Sequence, residues 1–288
     1  MEKVTKDTLY GKNKNILSFI PVSNKGQYND VERYKNFLEW LFETFDANQE
    51  EFRRSILHPL KLSSNNKVLF VGCGTGEEIR TCLEMHSCVE VHAQDISHSM
   101  VDYSAASTAM DSVLFTVSDV HDLPYQSNYF DAVFHFGGIN QFSDIKVALQ
   151  EMTRVCKVGG RIVVGDEGVA EHLKSHEFGK IAINNIPIWS ASPPMEMLPE
   201  NAESIELKYI LSNCFYLLSY DVGESIPFMN IDVPHKGIRG GSARTRYYGK
   251  VEGIDPKLRA SLYKIAEEKK VSVEKILSEM VRKQLDFD

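Results

Sequence analysis

Three glycines spaced G-x-G-x-G, Gly72, Gly74 and Gly76, follow the apolar run VLFV and precede two acids, Glu77 and Glu78. A glycine loop between a strand and a helix lets a ligand approach bare backbone at a helix N-terminus. No G-K-[ST] follows the loop, and the two acids would repel a pyrophosphate. They suit a cationic or zwitterionic group instead. A nicotinamide dinucleotide is the other ligand to weigh, and the acids fit it poorly. Asp95 stands nineteen residues past Gly76, at the end of VEVHAQD. An acid there reaches ribose hydroxyls, unless it only caps the next helix. A third apolar run, VLFTVSD, ends at Ser118-Asp119-Val120. Asp119 can accept a hydrogen bond from an adenine amino group or simply close a turn. Taken together, these residues describe a site for an amino-acid group, a ribose and an adenine, without phosphate.

Groups able to move a proton come further along. His135 and Asn140 bracket FGGINQF, and Asp166 and Glu167 end RIVVGDE. Each has a plainer alternative, His135 as a strand residue facing helices and the two acids as solvated loop residues. Cys73 lies within the glycine loop, where a small residue is tolerated, and is read as that rather than as a nucleophile.

The elements that must position these groups alternate. VLFV is followed by a helix over 77–85, VEVHAQD by a helix over 97–109, and then comes the strand VLFTVSD. DAVFHF is followed by a helix over 145–156, KVGG reads as a turn, and RIVVGDE is the fifth strand. Val-, Ile- and Phe-rich strands alternating with helices predict a parallel sheet covered on both faces. Upstream, residues 1–27 are polar and weakly patterned. A helix begins at Asn29 or Asp30, with Val31, Tyr34, Phe37, Leu38, Leu41, Phe42 and Phe45 at helical spacing, and a short one carries Phe52, Ile56 and Leu57. Downstream, IPIWSASPPMEMLP breaks the alternation, and IELKYILSNCFYLLSYDV is one long strand or two.

The chain has 288 residues and a formal net charge of −8, which argues against a chain-wide nucleic-acid or anionic-membrane role. No apolar run approaches a membrane span, and MEKVTKDTLYGK lacks a signal-like apolar region. Five cysteines without C-x-x-C spacing predict a reduced, cytoplasmic protein with no metal site.

This series of motifs resembles the class I S-adenosylmethionine-dependent methyltransferases over about residues 65–168. VLFVGCGTG, HAQDISHSM, SDVHDLPY and NYFDAVFHFGGIN match that family's motifs in order, followed by ALQEMTRVCKVGGRIVVGDE. The closest flavour is the branch that includes ubiquinone and menaquinone C-methyltransferases. The resemblance implies an α/β, Rossmann-like doubly wound sheet, the seven-stranded methyltransferase fold, with S-adenosyl-L-methionine as cofactor. It implies that Gly72, Cys73, Gly74, Thr75 and Gly76 cradle the methionine part. Asp95, Ile96 and Met100 would hold ribose and adenine, with Ser118, Asp119 and Val120 on the adenine, and Phe136-Gly137 would lie under the methyl donor. His135, Asn140 and Asp166 are the catalytic candidates. No NPPY- or DPPY-type motif follows the fourth strand, which weakens adenine or glutamine N-methylation.

Around this domain, residues 1–64 are read as a helical lid and 170–205 as an insertion. Residues 226–252 are read as a basic Gly-rich loop and 253–288 as a helix pair. Tyr28, Tyr34, Trp40 and Trp189 are expected to close an acceptor pocket, whose aromatic lining favours a small organic molecule. HKGIRGGSARTRYYGK is basic without an acid, and Arg239 in it is expected to bind an anionic substrate group. Asp255-Pro256 and Ser272 start two helices with apolar stripes Leu258, Leu262, Ile265, Ala266 and Val273, Ile276, Leu277, Met280, Val281. The pair resembles ribbon-helix-helix proteins. That implies a homodimer, whereas the ribbon, Gly249 to Gly253, lacks polar base readers, so nucleic acid is not expected. Three functions remain: a small-molecule methyltransferase, a methyltransferase for a peptide, protein or nucleic acid docked on the basic loop, and a cofactor-binding regulator.

Overall fold

The computed structural model describes residues 11–13, 15–21, 30–106, 110–236, 241–248 and 254–285. Among the described residues nine strands form one sheet: β1 (Gly11–Asn13), β2 (Ile16–Ser18), β3 (Lys67–Val71), β4 (Glu90–Asp95), β5 (Leu114–Val117), β6 (Phe130–Phe136), β7 (Cys156–Glu167), β8 (Ala202–Ile210) and β9 (Phe215–Val222). Among the described residues ten α-helices accompany them: α1 (Val31–Thr44), α2 (Gln49–Leu57), α3 (Glu77–Met85), α4 (His98–Ala106), α5 (Ile145–Val155), α6 (Glu171–Lys174), α7 (Glu177–Asn185), α8 (Ala243–Tyr248), α9 (Pro256–Lys269) and α10 (Val273–Gln284). The chain divides into two compact units, Met1–Pro227 and Phe228–Asp288.

Within the first unit the strand order is β1-β2-β5-β4-β3-β6-β7-β9-β8. Strands β2 to β7 run parallel, and the β8–β9 hairpin joins β7 antiparallel. This is the expected α/β doubly wound sheet. Its order reverses at β3, the switch point where open α/β sheets bind ligands beyond the strand ends. The central strands are buried on both faces, with Val68, Leu69, Val133, Val163 and Ile162 all at 0 % exposure. They therefore read as unbroken apolar runs rather than alternating ones.

Two expectations need correction. The N-terminal segment is not purely helical: β1 and β2 form a hairpin that pairs β2 parallel to β5. Strands of three residues carry too little pattern to be seen in sequence. KVGG is not a turn but the start of β7, which runs unbroken from Cys156, with an irregularity opposite Phe130–Ala132. Gly160 passes close to its neighbours, since a Cβ there would sit 2.6 Å from the Cys156 sulfur. The described part of the helix after Asp95 ends at Ala106, and residues 107–109 lie outside the described residues.

The second unit contains α8 to α10. Asp255 accepts from Lys257 N and Leu258 N, and Ser272 accepts from Lys275 N, so both caps fall where their side chains suggest. The core of the α9–α10 pair is small: Leu262, Ala266 and Ile276 are buried, while Leu258, Met280, Val281 and Leu285 are more than half exposed. No described helix is long and apolar enough to cross a membrane.

Candidate active site

The loop after β3 owes its shape to its glycines. Gly72, Gly74 and Gly76 all have positive φ. At Gly72 a Cβ would press against the His135 ring at 3.2 Å, and at Gly76 it would strike the Ser104 hydroxyl at 2.1 Å. Both positions thus require glycine for space as well as for conformation. Gly76 caps α3, whose first turn holds Glu77 and Glu78.

Asp95, at the end of β4, ties this loop to the next strand. Its carboxylate accepts from Gly74 N at 2.8 Å and from Ser97 N at 2.9 Å. It caps the turn into α4, and it also faces the cavity described below. Burial pushes its carboxyl above the usual range, against the pull of these backbone N–H groups. Gln94, which the motif reading passed over, is a buried brace. Gly72 N donates to its Oε1, and its amide nitrogen donates to Ser118 O. Cys73 is buried, and burial followed by the Asp95 charge pushes its thiol up, so it stays protonated and poorly nucleophilic.

These loops border a cavity of about 650 Å³ at the C-terminal ends of β3 to β6. Of the expected residues, Tyr34, Gly72, Gly74, Asp95, Ile96, Met100, Asp119, Val120, His135 and Gly137 line it. Tyr34 of α1 lies over the loop, its ring 3.6 Å from where a Gly74 Cβ would be. Asp119 caps the turn after β5 and is held by His121, whose Nδ1 lies 2.6 Å from its Oδ1. Ile20, Pro21, Gln141 and Phe142 also line the cavity, and nothing in their local sequence pattern marks them. No lysine or arginine lines it among the described residues, whereas Asp95 and Asp119 do.

Other expected residues lie elsewhere. Thr75 and Ser118 are buried and do not line the cavity, and Phe136 packs against Phe52 and Phe215. Trp189 is a core residue, 3 % exposed and packed on Phe45 and Phe215, rather than a wall of the cavity. The aromatic stripe of α1 serves the same cluster through Phe37, Leu41 and Phe45. Trp40 packs on Phe37 and is 39 % exposed. Tyr28 and Arg239 lie outside the described residues.

Asp166 is fully buried and is neither a solvated loop acid nor a wall of the cavity. Its oxygens accept from Gly138 N at 3.1 Å, Asn140 N at 2.7 Å and Glu167 N at 2.9 Å. The Asn140 amide donates to Glu167 O at 2.8 Å. These residues therefore lock the turn after β6, which presents Gly137 and Gly138 to the cavity.

Glu167 pays for this arrangement. Burial, then proton sharing with Asp166 and its charge, raise the Glu167 carboxyl to about 9. The folded chain thus holds a proton that the unfolded chain releases near pH 4.5. The stability associated with that proton is complete below about pH 4.5 and is lost as pH rises toward 9. Glu167→Gln is expected to match the wild type at pH 4 and to exceed its stability by about 1–3 kcal/mol at pH 7. Urea unfolding across that range measures the difference. Equal pH slopes for the two proteins would contradict it.

Comparison with known proteins adds independent findings. Residues 69–164 match the family model described as a methyltransferase domain. A demethylmenaquinone methyltransferase from Staphylococcus aureus (strain MRSA252) is 34% identical over 114 residues, covering 39% of this chain and 47% of that protein. The chain thus spans about half the length of the curated relatives it matches. Phosphoethanolamine N-methyltransferase 2 of Haemonchus contortus, solved with S-adenosyl-L-methionine, shares the fold with a TM-score of 0.55 at 14% identity, over 70% of this chain and 61% of that one. A Methanococcus maripaludis structure classed among S-adenosyl-L-methionine-dependent methyltransferases gives 0.52 at 21% identity, over 72% of this chain and 99% of that one.

Proposed function

We propose that this chain, which carries a class I S-adenosylmethionine-dependent methyltransferase domain, transfers a methyl group to a small organic acceptor. The observation that carries the reading is the lining of the cavity: exposed backbone at Gly72 and Gly74, the Asp95 carboxylate, and no lysine or arginine among the described residues. The residues fit the cofactor. Asp95 keeps accepting capacity beyond its two N–H bonds, which suits a ribose diol. Ile96, 57 % exposed beside it, offers an apolar face for a base.

Bound S-adenosylmethionine supplies a sulfonium-activated methyl group. The chain's own work is then mainly to position the reactants and exclude water. The glycine loop and Asp95 would hold the nucleoside and amino-acid parts, while Ile20, Pro21 and Phe142 provide an apolar surround. The turn locked by Asp166 would fix Gly137 and Gly138 near the reacting centre. Asn140 and Asp166 act in this reading by positioning that turn, since their polar groups are already committed to it.

A cavity of about 650 Å³ lies in the range of small-molecule sites. The name of the staphylococcal relative makes a quinone-type aromatic ring the first acceptor to assay. Calorimetry with S-adenosylhomocysteine, followed by transfer of labelled methyl to a panel of phenols, quinols and amines, tests the reading. Absence of binding would overturn it. The docked-polymer reading is weaker because Arg244 of the basic segment pairs with Asp232 at 2.8 Å and with Glu274 at 3.4 Å.

The exposed Leu258, Met280, Val281 and Leu285 support a further part of the proposal, a homodimer formed through α9 and α10. A core of three buried side chains leaves this stripe needing a partner face. Met280→Lys with Val281→Lys is expected to shift the molar mass in light scattering from dimer to monomer. A wild type that is monomeric at all concentrations removes this part. The ribbon expected to precede these helices lies outside the described residues.

A further inference from the structure

His135 has one ring nitrogen committed and one idle. Nδ1 lies 2.9 Å from Val71 O, and a carbonyl can only accept, so Nδ1 carries the proton. Nε2 is therefore an acceptor with its lone pair directed away from β3. It is buried and has no partner among the described residues, in a side chain 1 % exposed. The ring is held on three sides: by the Val71 carbonyl, by Gly72, where a Cβ would lie 3.2 Å away, and by Phe142, with ring centres 4.9 Å apart. His135 is among the residues that border the cavity. A buried acceptor left unpaired is costly, so a partner is to be sought among the ligands of that cavity.

The order of strands says which part of the ligand this is. Asp119 follows β5, Asp95 ends β4, the glycine loop follows β3, and His135 is on β6, next along the sheet. If adenine and ribose lie over Asp119 and Asp95, the amino-acid end of the donor lies toward His135. That end has an ammonium, which donates, and a carboxylate, which a lone pair repels. Burial lowers the tendency of the ring to take a proton, and the nearby Asp166 charge works the other way.

Resting on the methyltransferase reading above, we infer that His135 Nε2 accepts a hydrogen bond from the α-ammonium of the methyl donor and so selects for an amine-bearing ligand. His135 is in this view a binding residue for the donor rather than the base that deprotonates the acceptor.

The test compares S-adenosylhomocysteine with its analogue lacking the α-amino group, which keeps the carboxylate. Wild type is expected to prefer the amine by about tenfold or more, and His135→Phe to lose that preference while binding the deaminated analogue as wild type does. Equal weakening of both ligands in His135→Phe would mean a purely structural role and overturn the inference, as would an unchanged preference. Nitrogen-15 NMR of the wild type gives a second readout that requires no substitution. The Nε2 resonance should start at the position of an unprotonated ring nitrogen and move upfield with S-adenosylhomocysteine but not with the deaminated analogue. No shift, or the same shift with both, overturns the inference. A wild type that binds neither ligand defeats the cofactor reading itself, and this inference with it.

Discussion

Asp95→Ala is expected to reduce affinity for S-adenosylhomocysteine by about 100-fold or more. Two losses add. The carboxylate is the predicted partner of the ribose hydroxyls, and hydrogen bonds to a charged acceptor contribute about 1.5–3 kcal/mol each. The same carboxylate holds Gly74 N and Ser97 N, so its removal also frees the glycine loop from β4 and uncaps the turn into α4. Calorimetric titration measures the affinity, and thermal unfolding checks that the domain still folds. Asp95→Asn separates the two effects, because its amide oxygen can still hold one N–H while the charge is gone. Unchanged affinity in Asp95→Ala would place the nucleoside elsewhere and remove the basis of the functional reading.

Asp166→Ala is expected to lose about 3–5 kcal/mol of stability, or roughly 10 °C in melting temperature. The side chain is completely buried and accepts from three backbone N–H groups. Leaving such donors unpaired costs about 1–3 kcal/mol each, partly relieved if water enters. Affinity for S-adenosylhomocysteine should fall as well, because Gly138 loses its anchor. A variant as stable as wild type would show that the turn after β6 is held by something else. A free carboxylate acting as a base would give a different signature: unchanged stability and unchanged affinity with a lost rate.

The sheet was largely legible in sequence because its central strands are buried on both faces and flanked by helices with clear starts. Asp30, Asp255 and Ser272 each cap a helix with the side chain their position suggests. The glycine loop and Asp95 could be read because their roles follow from residue type at a fixed place in a strand–loop–helix unit. What escaped depends on contacts distant in sequence. Trp189 shares its apolar character with residues that line cavities, and only the positions of Phe45 and Phe215 make it core. Asp166 looks like any acid at a strand end until Gly138 and Asn140 fold back on it. Gln94 lies inside the motif, yet its task is set by the glycine loop on one side and Ser118 on the other. The hairpin β1–β2 was invisible because its order comes from β5 rather than from its own composition.

That hairpin has a second effect. In the seven-strand arrangement β5 would be an outer strand, with a row of unpaired peptide groups open to pairing with another chain. Here Phe115 N donates to Asn15 O and Phe19 N to Val117 O, and the Asn15 amide closes on Met110 O and Val113 O. The sticky edge is thereby replaced by a three-residue strand too short to template much. The chain emerging from β2 then contributes Ile20 and Pro21 to the wall of the cavity. One short stretch thus both covers the β5 edge and borders the cavity.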